Sequence, residues 1–291
     1  MSEVAGSKEG SQTACRTVHI DTSVQVERCK SLRKRDRIEN ALAVFGFRST
    51  SSYAKLEFKR AWLRRLSYLY HASQQVARDD ELIEFINDRL GSHPGHRRSL
   101  TTCLEGIAAF LSRIDESLSP GVRLVRLQSH IRYAILGAYK WWDCSVTHEY
   151  TGTHCKRASE QPREFSDGRI DVSIPNCRRN KIECSIHRFF KQNKDIFIKI
   201  KDRVIALGDK ASLELKRAVD IIQSAETNPE ILCDSQTCAK LGDALIAVDG
   251  SDMECFAANN DKEWQLLSEV LGKELLNPVR PRQDPKSDAE S

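Results

Sequence analysis

Apolar residues recur along this chain with two periods. Strand-length runs fall at residues 17–21 (TVHID), 45–52 (FGFRSTSS) and 254–258 (ECFAA), and Leu275-Leu276 suggests a final edge strand. Ile231 and Leu232 are expected to add a short strand ahead of residue 241. Between the second and third of these runs the period is helical. Residues 24–42 read as one helix, and residues 53–77 as another with Leu56, Trp62, Leu63, Leu66, Leu69 and Tyr70 along its core face. Residues 80–90, 98–116, 121–142, 181–207 and 211–225 continue in the same way, and no strand is expected over residues 80–142. Residues 241–249 and 264–271 flank the 254–258 run as helices, with Gly250-Ser251-Asp252 and Gly272 as stops. Strands alternating with helices at both ends of the chain predict an α/β fold around an open sheet. The helical middle reads as a bundle beside that sheet.

Acids stand where such a sheet puts its ligands, just past the C-terminal ends of strands. Asp21 closes the TVHI run and opens a polar Asp-Thr-Ser triplet. Asn259, Asn260, Asp261 and Glu263 follow the ECFAA run, with Trp264 behind them. Asp243 follows Gly242 in the first turn of a helix that is apolar nearly all round, where the helix N-terminus suits a negative charge. Glu57 lies between Leu56 and Phe58 near the start of the helix that follows the second strand. Carboxylates converging from a helix start and two strand ends suit a divalent cation. The plainer alternative is one capping Asp and a solvated loop.

The series HIDTS, SSYAKLEF, GDALIA and NNDKEW resembles the PIN domain, a divalent-metal ribonuclease family. The resemblance covers roughly residues 16–60 and 236–278. It implies a three-layer α/β/α fold with a central parallel sheet, interrupted by a large, mostly helical insertion at residues 61–230. The second part of the domain would then span residues 231–278. The four family acids match Asp21, Glu57, Asp243 and Asp261 as the catalytic set. Asp21, Asp243, Asp261 and Glu263 would be the metal ligands, holding Mg²⁺ or Mn²⁺. Asn259 stands where the family has Thr, and Glu263-Trp264 replaces its final acid-aromatic pair. The implied activity is endoribonucleolytic, with single-stranded RNA as substrate. Two alternatives stand beside it. One is a non-catalytic PIN-like module that binds RNA or protein. The other is the toxin of a toxin–antitoxin pair, with a protein inhibitor over the site. The insertion could itself provide that masking. Asp143 in WWDCS and Glu183 in KIEC offer a rival placement of the first two acids.

Composition adds three expectations. A formal charge of +4 at pH 7 is weakly basic, and Lys30, Arg33, Lys34 and Arg35, close after the first acid, form a candidate nucleic-acid contact. A solvated helix face is the alternative. The ten cysteines have no disulfide rhythm and nothing reads as a signal peptide, which points to a reducing, cytoplasmic setting with no membrane partner. Four of those cysteines, Cys144, Cys155, Cys177 and Cys184, fall in a Pro/Gly/Ser/Thr-rich stretch at about residues 143–184. They could hold a structural zinc ion, or they are ordinary free thiols, since no C-x2-C knuckle is present. Residues 1–15 and 279–291 read as polar, disordered tails.

Overall fold

The computed structural model describes residues 16–91, 96–155, 159–172, 174 and 184–280, the side chains of residues 98, 235 and 261 excepted. Its centre is a five-stranded sheet. In chain order the strands are β1 (Thr17–Ile20), β2 (Phe47–Ser51), β3 (His148–Tyr150), β6 (Cys255–Ala257) and β7 (Glu274–Leu276). Their spatial order is β3-β2-β1-β6-β7, with every pairing parallel. The chain therefore builds outward from β1 in one direction and later returns to build outward in the other. The switch falls between β1 and β6, and ligands bind at such a point in an open α/β sheet.

Alternation along β1 sorts the core into two faces. Val18 and Ile20 pack with Cys255 and Ala257 of β6 against Val24, Ile38 and Leu42. Those last three residues belong to α1 (Thr22–Lys30) and α2 (Leu32–Leu42), so these helices cover one face. His19 points the other way, toward Phe256, whose ring meets Trp264 edge-on. Phe256 and Trp264 join the larger core with Ile246 and Leu245 of α13 (Gly242–Asp249) and Leu266 of α14 (Asp261–Leu271). Helices on both faces of a parallel sheet make an α/β architecture compatible with a three-layer sandwich. β2 (FRSTS) is polar yet central because its hydroxyls are satisfied. Thr50 donates to the Ile20 carbonyl at 2.8 Å, and Ser49 donates to the Val18 carbonyl and contacts His19 Nδ1.

Expectations about several elements are corrected. The helix expected over residues 24–42 is two helices, because Ser31 adopts extended backbone and caps the second one. The helix expected over residues 53–77 is α3 (Ser52–Phe58), a π-helical turn (Lys59–Leu63) and α4 (Arg64–Ser73). The wide turn brings Lys59, Trp62 and Leu63 all into the interior. The strand expected at Ile231-Leu232 is a 3₁₀ turn (Pro229–Cys233), opened by the Asn228 side chain on Glu230 N and by Pro229.

The middle of the chain is helical as expected, with α5 (Asp79–Gly91), α6 (Arg97–Leu111), α7 (Pro120–Leu136) and α8 (Ala138–Asp143). The stretch at 143–184, where the sequence shows no periodicity, contains short strands. β3 lies inside the Cys-containing stretch and joins the main sheet beside β2. A small hairpin, β4 (Arg163–Glu164) with β5 (Ile170–Asp171), turns through Gly168 at φ +78°. Then come α9 (Ser185–Gln192) and α10 (Lys194–Leu207), two helices broken at the non-helical Asn193 where one was expected over residues 181–207, followed by α11 (Leu213–Thr227) and α12 (Ser235–Lys240). The Leu275-Leu276 edge strand is present as part of β7. Of the two expected tails, residues 1–15 and 281–291 lie outside the described residues. Residues 279–280 do not hang free: Val279 accepts from Arg37 at 2.8 Å, and Arg280 N donates to Asn277. No helix among the described residues is long and apolar enough to cross a membrane.

Candidate metal centre

Asp21 is placed by β1. Its N–H still pairs with the β6 carbonyl of Ala257 at 2.9 Å, so the residue extends the ladder by one position before α1 begins. Its Oδ2 then caps α1, accepting from the Ser23 N–H at 2.9 Å and from the Ser23 hydroxyl. Ser23 Oγ in turn accepts from Asn259 N at 2.9 Å, tying this loop to the end of β6. The other carboxylate oxygen, Oδ1, is buried and has no hydrogen-bond partner.

Glu57 arrives from the second strand. Ser51, the last residue of β2, caps α3 through its hydroxyl, which accepts from Ala54 N at 2.9 Å. One and a half turns later Glu57 projects toward Asp21, held by Thr22 Oγ1, which donates to Glu57 Oε2 at 3.2 Å and is also within 3.2 Å of the Ala54 carbonyl. Asp243 comes from the first turn of α13. Gly242, immediately before it, explains the Gly-Asp pair: a Cβ at residue 242 would stand 1.9 Å from Glu57 Oε1. Only a residue without a side chain lets α13 approach Glu57 so closely. Tyr53 anchors the same contact from α3 by donating to the Cys238 carbonyl at 2.8 Å.

The result is one carboxylate oxygen from each of Asp21, Glu57 and Asp243, all within 4.8 Å of one another. Asp21 is buried and the other two are half-buried. Burial raises the pKa of all three, and mutual repulsion adds to it for Glu57 and Asp243. Asp243 is pushed up to about 7, first by burial and then by Asp21, Glu263 and Glu214. Glu57 is raised well above the usual carboxylate range by burial and by Asp243 and Asp21. Asp21 is raised by burial against the opposing pull of the Ser23 and Thr22 hydrogen bonds. Three acids crowded in this way, one with an orphaned buried oxygen, have the chemistry of a hard-cation site.

The site opens into a cavity of about 220 Å³ lined by Glu57, Asp243, Glu263, Glu214, Arg217 and Lys240, among others. Glu263 lines this cavity and is itself buried, but it is not one of the three acids that converge. Asp261 begins α14 at the end of β6, the expected edge of the sheet, but its side chain lies outside the described residues. Glu214, Arg217 and Lys240 were not expected. The first two come from α11, within residues 61–230, so this part of the chain supplies one wall of the site. They were missed because a polar face on an amphipathic helix reads as solvated surface.

Of the two rival acids, the described one, Asp143, does not enter. Asp143 ends α8 and pairs with Lys55 at 2.9 Å on the surface, and Glu183 lies outside the described residues. Among the described residues Cys144, Cys155 and Cys184 do not form a metal-ligating set. Among the described residues Asp21, Glu57 and Asp243 are the only set of three or more metal-ligating side chains. Cys144 is exposed, Cys184 donates to the Leu232 carbonyl, and Cys177 lies outside the described residues. Of the basic residues after Asp21, Lys30 pairs with Glu27 and Glu105 and Lys34 with Glu27. Arg33 is exposed, and Arg35 lies over the Trp141 ring at 5.3 Å. No protein-family model, curated protein or solved structure matches this chain.

Proposed function

We propose that this protein is a divalent-metal-dependent phosphodiesterase acting on RNA. The observation that carries the reading is the convergence of Asp21 from a strand end, Glu57 from the second turn of α3 and Asp243 from the first turn of α13, at the switch point of a parallel sheet. Asp21 and Asp243 are the proposed Mg²⁺ or Mn²⁺ ligands, with Asp21 Oδ1 as the oxygen left free for the ion. Asp261 is a further candidate ligand by its position after β6. When bound, such an ion lowers the pKa of a coordinated water and neutralises charge on the phosphate under attack. The chain's own side chains do the rest. Glu57 and Glu263 accept a hydrogen bond from the attacking water and orient it. Thr22 and Ser23 fix the rotamers of Glu57 and Asp21. Arg217 and Lys240, on the cavity rim, receive the phosphates that flank the scissile one. RNA as substrate rests on the resemblance of the four acidic motifs to PIN-domain ribonucleases.

The test is cleavage of labelled single-stranded RNA by the full chain with Mn²⁺, with Mg²⁺ and with EDTA, alongside Asp243→Asn. Metal-dependent cutting that falls more than about 100-fold in the variant supports the reading, since the loss of even an outer-sphere partner costs 10–100-fold. Equal cutting by both proteins would overturn it.

A further inference from the structure

A second cavity, of about 470 Å³, lies away from the acids at the seam between α2 and the helices α6, α7 and α8. Asp21 precedes the first turn of α1 and Cys29, in the wall of this cavity, is in its last, so about 12 Å of helix separates the two sites. The volume falls in the range of small-molecule sites.

The lining has an unusual charge balance. Arg35, Arg113 and Lys140 face it together with His130, and none of its residues is acidic. The pKa of Arg113 is lowered by burial and then by the neighbouring Arg35 charge. Arg35 Nε and His130 Nδ1 are buried without hydrogen-bond partners. Cations gathered in one concavity with unused donors are held at a cost unless an anion completes them.

The remaining wall is aromatic. The Trp141 indole lies under the Arg28 and Arg35 guanidinium groups at 5.0 and 5.3 Å, and Arg113 lies over Phe110 at 5.4 Å. Tyr133, at the rim, is 79% exposed. An exposed tyrosine beside a half-buried cationic cluster offers a ring face at low entropic cost. The Cys29 thiol is pushed up to about 12 by burial, so it is a neutral part of the wall and no nucleophile.

We infer that this cavity is a binding site for a nucleoside phosphate, with the phosphate on Arg35 and Arg113 and the base against Tyr133. A planar ring joined to a dianion satisfies both halves of the wall. Inorganic phosphate or a neutral nucleoside satisfies only one. The ligand is either a free nucleotide or the phosphorylated end of an RNA, which share this chemistry. The site is independent of the acid cluster and needs no metal.

The experiment is titration of the full chain, in EDTA, with AMP, adenosine, inorganic phosphate and a short oligoadenylate with or without a 5′-phosphate. Binding is read by quenching of tryptophan fluorescence and by calorimetry. The expected order is AMP or the 5′-phosphorylated oligomer well above adenosine and phosphate. A preference for AMP assigns the free nucleotide, and a preference for the 5′-phosphorylated oligomer assigns an RNA end. Arg35→Ala with Arg113→Ala should weaken binding at least 10-fold and flatten its salt dependence. Tyr133→Ala removes only an exposed ring, leaves folding intact, and should weaken AMP without affecting phosphate. No binding of any phosphorylated probe at millimolar concentration, or binding unchanged in both variants, would overturn the assignment. EDTA keeps the outcome separate from the metal centre, so failure here leaves the nuclease reading standing, and the reverse holds.

Discussion

At the scale of the residue, the site depends as much on Gly242 as on the acids around it. Its hydrogen occupies space that any Cβ would contest with Glu57 Oε1. Gly242→Ala should therefore swing Glu57 away from Asp21 and Asp243. Alanine suits a helix start, so the melting temperature should change little, while Mn²⁺ affinity falls at least about 10-fold by calorimetry. The acids themselves predict a pH dependence of the metal-free protein. Burial and mutual repulsion hold Glu57 and Asp243 above their unfolded pKa values. The folded state thus binds more protons than the unfolded state between about pH 4 and pH 7, and stability falls as pH rises through that window. Above pH 7 an added divalent ion should restore it, because it replaces those protons. Thermal melts from pH 4 to 8, with EDTA and with Mn²⁺, check both signs. A metal-free protein that gains stability toward pH 7 on account of these groups would contradict the geometry.

At the scale of the element, Asp21 and Glu57 are positioned by helix caps, and Asp243 by the anchoring of α13, whose start has no side-chain cap. The Asp21 side chain caps α1, Ser51 caps α3, and Tyr53 ties α3 to the carbonyl of Cys238 just ahead of α13. Tyr53→Phe removes that bond but leaves the carbonyl its second one, from the Leu241 N–H at 3.2 Å, and should cost about 0.5–1.5 kcal/mol in chemical denaturation. These capping positions were legible in the sequence because they are local: an apolar run ending in Asp-Thr-Ser, a Ser pair before a helix, a Gly-Asp pair. β3 was not legible. His148, Glu149 and Tyr150 show no apolar alternation, and the strand forms because β2 offers it an unpaired edge. The π turn after α3 was hidden for a similar reason. Its extra residue is set by where Lys59 and Trp62 find room in the core, and the periodicity of the helix continues on both sides of it.

At the scale of the whole molecule, residues 61–230 do not behave as an appendage. They supply β3 to the main sheet and α11 to the wall of the acidic cavity. They also share one buried cluster with the sheet domain, running from Tyr53 through Trp142 and Phe197 to Phe256 and Trp264. The sequence marks the two ends of this segment but not its integration, which depends on contacts between residues far apart in the chain. Deleting residues 75–230 should therefore yield no cooperatively folded protein, as judged by circular dichroism and thermal melting. A soluble fragment with a sharp melt would show that the segment is separable and could act as a removable mask.

The central claim is that Asp21, Glu57 and Asp243 form a divalent-metal site, and the most direct measurement is Mn²⁺ binding to the full chain by calorimetry, wild type against Asp21→Asn. Asp21→Asn keeps one side-chain oxygen to cap α1, so the fold should survive. The account predicts saturable Mn²⁺ binding to the wild type, with proton release that rises as the pH is lowered below about 7, and binding weakened more than about 100-fold in the variant. Absence of Mn²⁺ binding to the wild type, or the same affinity in both proteins, would contradict it.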